Sequence, residues 1–114
     1  MPTIQAFAST KPLEILEGIN GTLELYADRI VIWKHGLLAR FTLHFQGESR
    51  TIYLHEIKHI HFESGRYFGN GTIEFSLEDE NIVLVFNPNL DPVAHKITTI
   101  IHSELSGHHW PLAN

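Results

Sequence analysis

The stretch Gly21-Thr-Leu-Glu-Leu-Tyr-Ala-Asp-Arg-Ile-Val-Ile-Trp-Lys34 decides the fold. Leu23 and Leu25 alternate with polar neighbours, Ala27-Asp28 interrupts them, and Ile30 and Ile32 resume the alternation. Period-two apolar spacing on both sides of a short turn predicts a β-hairpin with one buried face. Asn20-Gly21 just before it has the residue pair that favours the positive backbone angles of a tight hairpin turn. Leu13 to Ile19 reads as the strand on the other side of that turn.

Working outward, the same pattern recurs. Thr51 to Leu54 is a strand with Ile52 and Leu54 inward, and Ile57 to Glu63 is another with Ile60 and Phe62 inward. Thr72 to Leu77 and Ile82 to Phe86 make the last hairpin across the acidic turn Glu78-Asp79-Glu80-Asn81. Residues 36–46 read two ways. Phe41, Leu43 and Phe45 alternate as in a strand, while Leu37, Leu38 and Phe41 fit one turn of a helix. The chain then changes period. Val93, Ile97, Ile100, Ile101 and Leu105 form one helical stripe. Asp91 stands where a cap accepts free amides, Pro92 suits the first turn and Gly107 supplies a stop. The reading is one domain over 1–114, with an arm over 1–12, a strand-built body over 13–87, a helix over 91–106 and a tail over 107–114. Its core is expected to hold Leu23, Leu25, Ile30, Ile32, Ile52, Leu54, Ile57, Ile60, Phe62, Ile73, Phe75, Val93, Ile97 and Ile101.

Composition narrows the function classes. The chain of 114 residues is 43% hydrophobic and 18% charged, which is globular and not disordered composition. A net charge of -5 argues against nucleic acid and anionic membrane as broad partners, because both call for a positive field. With no cysteine there is no disulfide framework and no thiol nucleophile. The N-terminus lacks the pattern of a secretory signal, and no apolar run reaches the ~18 residues of a membrane span. A cytoplasmic setting is the expectation. Neither a phosphate-cradling glycine motif nor a nucleophile-elbow serine is present, so no cofactor is indicated.

Nine histidines are the compositional oddity. His59-Ile60-His61-Phe62-Glu63 would place His59, His61 and Glu63 on one strand face, with donors suited to zinc or a similar ion. On a strand the three spread over about 13 Å, so at most two could reach one ion without a neighbouring strand. A solvated polar face is the simpler reading. If that stripe, with His55, lay at a subunit contact near Glu56 and Glu63, assembly would respond to acid. His95 and His102 lie about two helical turns apart, too far to share an ion.

Two surfaces stand out. Val31 and Trp33 face away from Ile30 and Ile32, and a cover is expected over them. It could be the arm before Leu13, the tail with Trp110 or another subunit. Arg66, Tyr67 and Phe68, in the glycine-flanked loop Gly65 to Gly71, could form a ligand-contacting lip, although a tight loop folded onto the core explains them as well.

In this order the elements resemble the pleckstrin-homology-like superfold, and more closely the small bacterial domains of that type. The resemblance covers roughly Ile19 to Leu105. It rests on the Gly21 to Ile32 hairpin, on Ile52-Tyr-Leu-His-Glu-Ile57 leading into Ile60-His-Phe62, on Gly71-Thr-Ile-Glu-Phe-Ser76, and on Ile82-Val-Leu-Val-Phe-Asn87 before the helix. It implies a mainly β barrel or sandwich of about seven antiparallel strands capped by a C-terminal helix. It also implies a non-catalytic binding or assembly module, with a protein partner or a second copy as its ligand. Lipid-binding relatives use a basic loop after the first strand. Here that loop is the uncharged Asn20-Gly21, so membrane lipid is not the expected ligand. The alternative is a small metal-binding β-barrel of cupin-like kind with enzymatic activity. Against it, Glu63 follows His61 by two positions only, and Ile82 to Phe86 carries no metal histidine.

Overall fold

The computed structural model describes residues 11–65 and 69–107. The arm before Lys11, the loop residues Arg66, Tyr67 and Phe68, and the tail beyond Gly107 lie outside the described residues. Among those described, seven strands run in order: β1 (Glu14–Glu17), β2 (Gly21–Leu25), β3 (Arg29–Lys34), β4 (Ser49–Tyr53), β5 (His59–Glu63), β6 (Gly71–Ser76) and β7 (Asn81–Phe86). A short helix α1 (Ala39–Thr42) lies between β3 and β4, and the long helix α2 (Asp91–Gly107) follows β7. Strands β1-β2-β3-β4 form one antiparallel sheet and β5-β6-β7 a second. The architecture is mainly β and fits a pleckstrin-homology-like sandwich of seven antiparallel strands with a closing helix.

Alternation built both sheets. Leu16, Leu23 and Ile32 line up in register across β1, β2 and β3, and Leu25, Ile30 and Ile52 across β2, β3 and β4. All six are fully buried. In the second sheet Ile60, Phe75 and Ile82 make one row, and Ile73 pairs with Leu84 beside Phe62. Helix α2 packs Ala94, Ile97 and Ile101 into the same core. The ends of the first sheet are tied across layers. Glu14 meets Lys96 of α2 at 2.7 Å, and Arg50 meets Glu80 of the β6–β7 turn at 2.6 Å. Such partly exposed pairs contribute ~0–1 kcal/mol each, so they orient the layers more than they stabilise them.

Several expectations are corrected. The first strand is shorter than 13–19, because after Glu17 the chain turns into the corner between the sheets. Asn20-Gly21 is not a positive-φ hairpin turn, since the positive-φ glycines among the described residues are Gly36, Gly47 and Gly69. Gly21 begins β2, and a Cβ there would lie 2.6 Å from the carbonyl oxygen of Trp33. Asn20 is fully buried. Its side-chain amide donates to Thr42 Oγ1 and to the Val83 carbonyl, both at 2.9 Å, and its oxygen accepts from the Val85 N–H at 2.9 Å. The Ile19 N–H also donates to the Val85 carbonyl, at 2.6 Å. The residue expected in the turn between β1 and β2 lies there and also closes the sheet corner.

Phe62 and Val93 are half-buried, not core. Phe62 lies under the rim of α2, its ring centroid 6.1 Å from that of Phe86 and 5.5 Å from that of His95. Leu54 is buried as expected, but it opens a 3-10 turn, Leu54–Glu56, after β4 has ended. Residues 36–46 resolve into one helical turn followed by extended chain, with Leu43 and Phe45 buried and Phe41 exposed.

Asp91 is the first residue of α2 and serves a neighbour in space. Both carboxylate oxygens accept from the Gly65 N–H, at 3.0 and 3.1 Å. That bond pins the loop after β5 to the helix entrance. Asp91→Ala should cost about 1–2 kcal/mol, comparable to loss of a helix cap, and Asp91→Asn less, because an amide oxygen still accepts. Denaturant unfolding of the two variants checks the order.

Candidate interaction surface

Strand pleating sends every second residue of the first sheet to its outer face. Registers arrange these in rows. Ile15, Glu24, Val31 and Thr51 stand side by side, and next to them Glu17, Thr22, Trp33 and Ser49. Arg29 faces Tyr53 at the far end of β3. Ile15, Trp33 and Tyr53 are 47%, 45% and 44% exposed, while Val31 between them is half-buried. The expectation that Val31 and Trp33 share the outer face holds. The described residues place no segment over it, and the arm and tail that could cover it lie outside them.

Glu24 organises this face. Its Oε1 accepts from the Tyr26 hydroxyl at 3.1 Å and from the Trp33 indole Nε1 at 3.2 Å. The Arg29 guanidinium lies 4.4 Å from the centre of the Tyr26 ring and also meets Asp28 at 2.8 Å. One carboxylate thus holds two aromatic side chains in place. Desolvation, and then the hydrogen bond and negative charge of Glu24, raise the Tyr26 phenol above its ordinary value of 10.0, against a smaller opposing pull from Arg29. A phenol that holds its proton more tightly when folded stabilises the fold below its unfolded pKa, and loses that contribution as pH rises through the folded value. Tyrosinate absorbance should therefore show a late-titrating tyrosine that Tyr26→Phe removes and Glu24→Gln moves toward the ordinary range.

A second exposed group lies where β3 leaves the sheet. Gly36 adopts φ of 80° and turns the chain into the loop that carries α1. Ala39, Leu43 and Phe45 anchor the loop in the core. Beside these anchors Leu37 and Phe41 are 71% and 70% exposed, and Leu38 and Ile19, the latter from the β1–β2 turn, are also exposed. Lys34 is held by the Phe45 carbonyl and lies over the Phe45 ring. Arg40, between the two exposed apolar side chains, forms no ion pair among the described residues.

Sequence reasoning did not single out Leu37, Phe41, Ile15 or Tyr53. The signal was present for the first two: Leu37-Leu38-Ala39-Arg40-Phe41 offers more apolar side chains than one anchoring face can bury.

His59, His61 and Glu63 all lie exposed on the outer face of β5, as the alternation predicted. Across β6 they stand opposite Ser76, Glu74 and Thr72. His61 Nε2 is 3.7 Å from Glu63 Oε2. No group of three or more His, Asp or Glu side chains able to hold a metal ion occurs among the described residues. His55 is separate from this stripe. It sits on the 3-10 turn with its ring stacked 6.0 Å from that of Tyr53, beside the first sheet. No helix among the described residues is long and apolar enough to cross a membrane.

Comparison with protein-family models, with curated proteins and with solved structures gives no match, so the function is read from this fold and its surface.

Proposed function

We propose that the protein is a cytoplasmic, non-catalytic interaction module of the pleckstrin-homology-like type that binds another protein or a second copy of itself. It acts through the outer face of the first sheet and the loop between β3 and β4. One observation carries this reading: the loop is anchored in the core by Ala39, Leu43 and Phe45, yet holds Leu37 and Phe41 about 70% in water. Exposed apolar side chains on an anchored segment do not serve the core, and contiguous patches of them are the usual mark of an interface. The fixed rotamers of Trp33 and Tyr26 around Glu24 support it, since a side chain already ordered loses less entropy when a partner covers it.

The test separates folding from binding. Leu37→Ser with Phe41→Ser should leave stability within about 0.5 kcal/mol of the parent, as for a surface change. The same double variant should lose association, measured as solution mass and as hydrogen-exchange protection of residues 35–48 at high protein concentration. A destabilisation above about 2 kcal/mol would instead assign the two side chains to the fold and remove this reading.

A further inference from the structure

We propose that the partner of this surface is a second copy of the chain, in a two-fold contact that sets the Arg40 loop of each copy on the Glu24 face of the other. The inference rests on the interaction reading above and names its ligand. Its basis is that the chain carries both halves of a matched pair.

The first half is the loop. Residues 34–45, Lys-His-Gly-Leu-Leu-Ala-Arg-Phe-Thr-Leu-His-Phe, contain two formal cations, two histidines and no carboxylate, in a chain whose net charge is -5. Most other cations of the described fold are engaged, Lys11 at its start being the exception. Arg29, Arg50, Lys58 and Lys96 each meet a carboxylate, and Lys34 is held by Phe45. Arg40 has no such partner among the described residues, and the most exposed apolar side chains stand on either side of it.

The second half is the sheet face. Glu17 and Glu24 point outward from it, and neither is in an ion pair among the described residues. Glu24 is held in place by Tyr26 and Trp33 and lies between Ile15 and Val31 in register. A face that sets the apolar Ile15, Val31 and Trp33 around the oriented Glu24 carboxylate suits a guanidinium flanked by leucine and phenylalanine, because the ring and the alkyl stem bury while the charges pair. Arg40 belongs to the loop that leaves the very strand bearing Val31 and Trp33. A two-fold axis between two such surfaces satisfies both pairs at once and closes the assembly at two copies.

An anionic bilayer is the other acceptor for a cationic, apolar loop. The carboxylates Glu17 and Glu48, at the end of the sheet where the loop leaves, would meet such a surface with like charge, whereas a second copy offers Glu24 as the attraction.

Light scattering behind size exclusion, from about 1 to 200 µM protein, tests the contact. The parent should reach twice the chain mass of 13.0 kDa. Arg40→Glu and Glu24→Arg should each weaken the dimer at least about tenfold, and the double swap should restore it, which a merely destabilised sheet would not do. Glu24→Gln, which keeps acceptors for Tyr26 and Trp33, should weaken the dimer without lowering the melting temperature. A parent that stays monomeric up to the highest concentration overturns the second-copy proposal, while leaving the interaction reading to the loop-variant stability test. A dimer indifferent to both charge reversals, or single variants not rescued by the double swap, overturns the Arg40–Glu24 contact. Sedimentation with vesicles rich in phosphatidylserine, by a monomeric parent, would assign the loop to a membrane instead.

Discussion

Phe75→Ala should lower the unfolding free energy by about 3–5 kcal/mol, the usual cost of removing a large buried ring. Phe75 is fully buried on β6, the central strand of the second sheet, with Ile60 on one side and Ile82 on the other. Paired on both edges, β6 has little freedom to collapse into the space the ring leaves. The loss is therefore expected near the top of that range. Against a total stability of roughly 5–15 kcal/mol for a domain, it takes away a large fraction, and the melting temperature should fall by about 10 °C or more. Phe62→Ala, on the same sheet but half-buried under α2, should cost clearly less. Urea denaturation of both variants gives the comparison, and equal costs would contradict the burial order.

Asn20→Ala should cost about 2–5 kcal/mol although it removes only a small polar group. Asn20 bonds Val83 and Val85 of β7 and Thr42 at the end of α1, from a fully buried position between the two sheets. Alanine leaves the Val85 N–H and the Val83 carbonyl without partners, and each buried unsatisfied group costs about 1–3 kcal/mol. Asn20→Asp should be at least as damaging, because a carboxylate can accept from Val85 but cannot donate to Val83, and its charge would be buried. Amide exchange at Val85 gives a local readout. It should accelerate in Asn20→Ala well before global unfolding, since the bond lost is its own.

The strands were legible because their physics is local. A pleated strand shows its period in the residues themselves, and Leu23, Leu25, Ile30 and Ile32 needed no knowledge of their partners. The same rule fails where both alternating sets are apolar. Ile82, Leu84 and Phe86 are the core-facing set of β7, but Val83 and Val85 between them hide the period. It fails again for Ala94, whose small side chain gives no hydrophobic signal yet lets α2 sit close on the sheets. Residues 36–46 stayed ambiguous because two periods fit the same leucines and phenylalanines. Which of them became anchors depended on where the open end of the sandwich lay. That choice left Leu37 and Phe41 outside, and so produced half of the proposed interface. Val31 and Trp33 were readable as outward residues. The bond from the Trp33 indole to Glu24 was not, because a contact across two strands depends on register.

The sequence by itself determined the mainly β architecture, the closing helix, the inward faces of β2, β3, β5 and β6, and the exposed histidine stripe. All of these follow from periodicity and charge, which act over a few neighbouring residues. Only the tertiary structure decided that Asn20, in the β1–β2 turn, is also a buried brace to β7. It also decided that Asp91 holds Gly65, that Glu24 orders Tyr26 and Trp33, and that Arg40 has no ion pair among the described residues and stands between exposed apolar side chains. Each of these depends on groups far apart in the chain meeting at a few ångströms, and no local pattern encodes that distance.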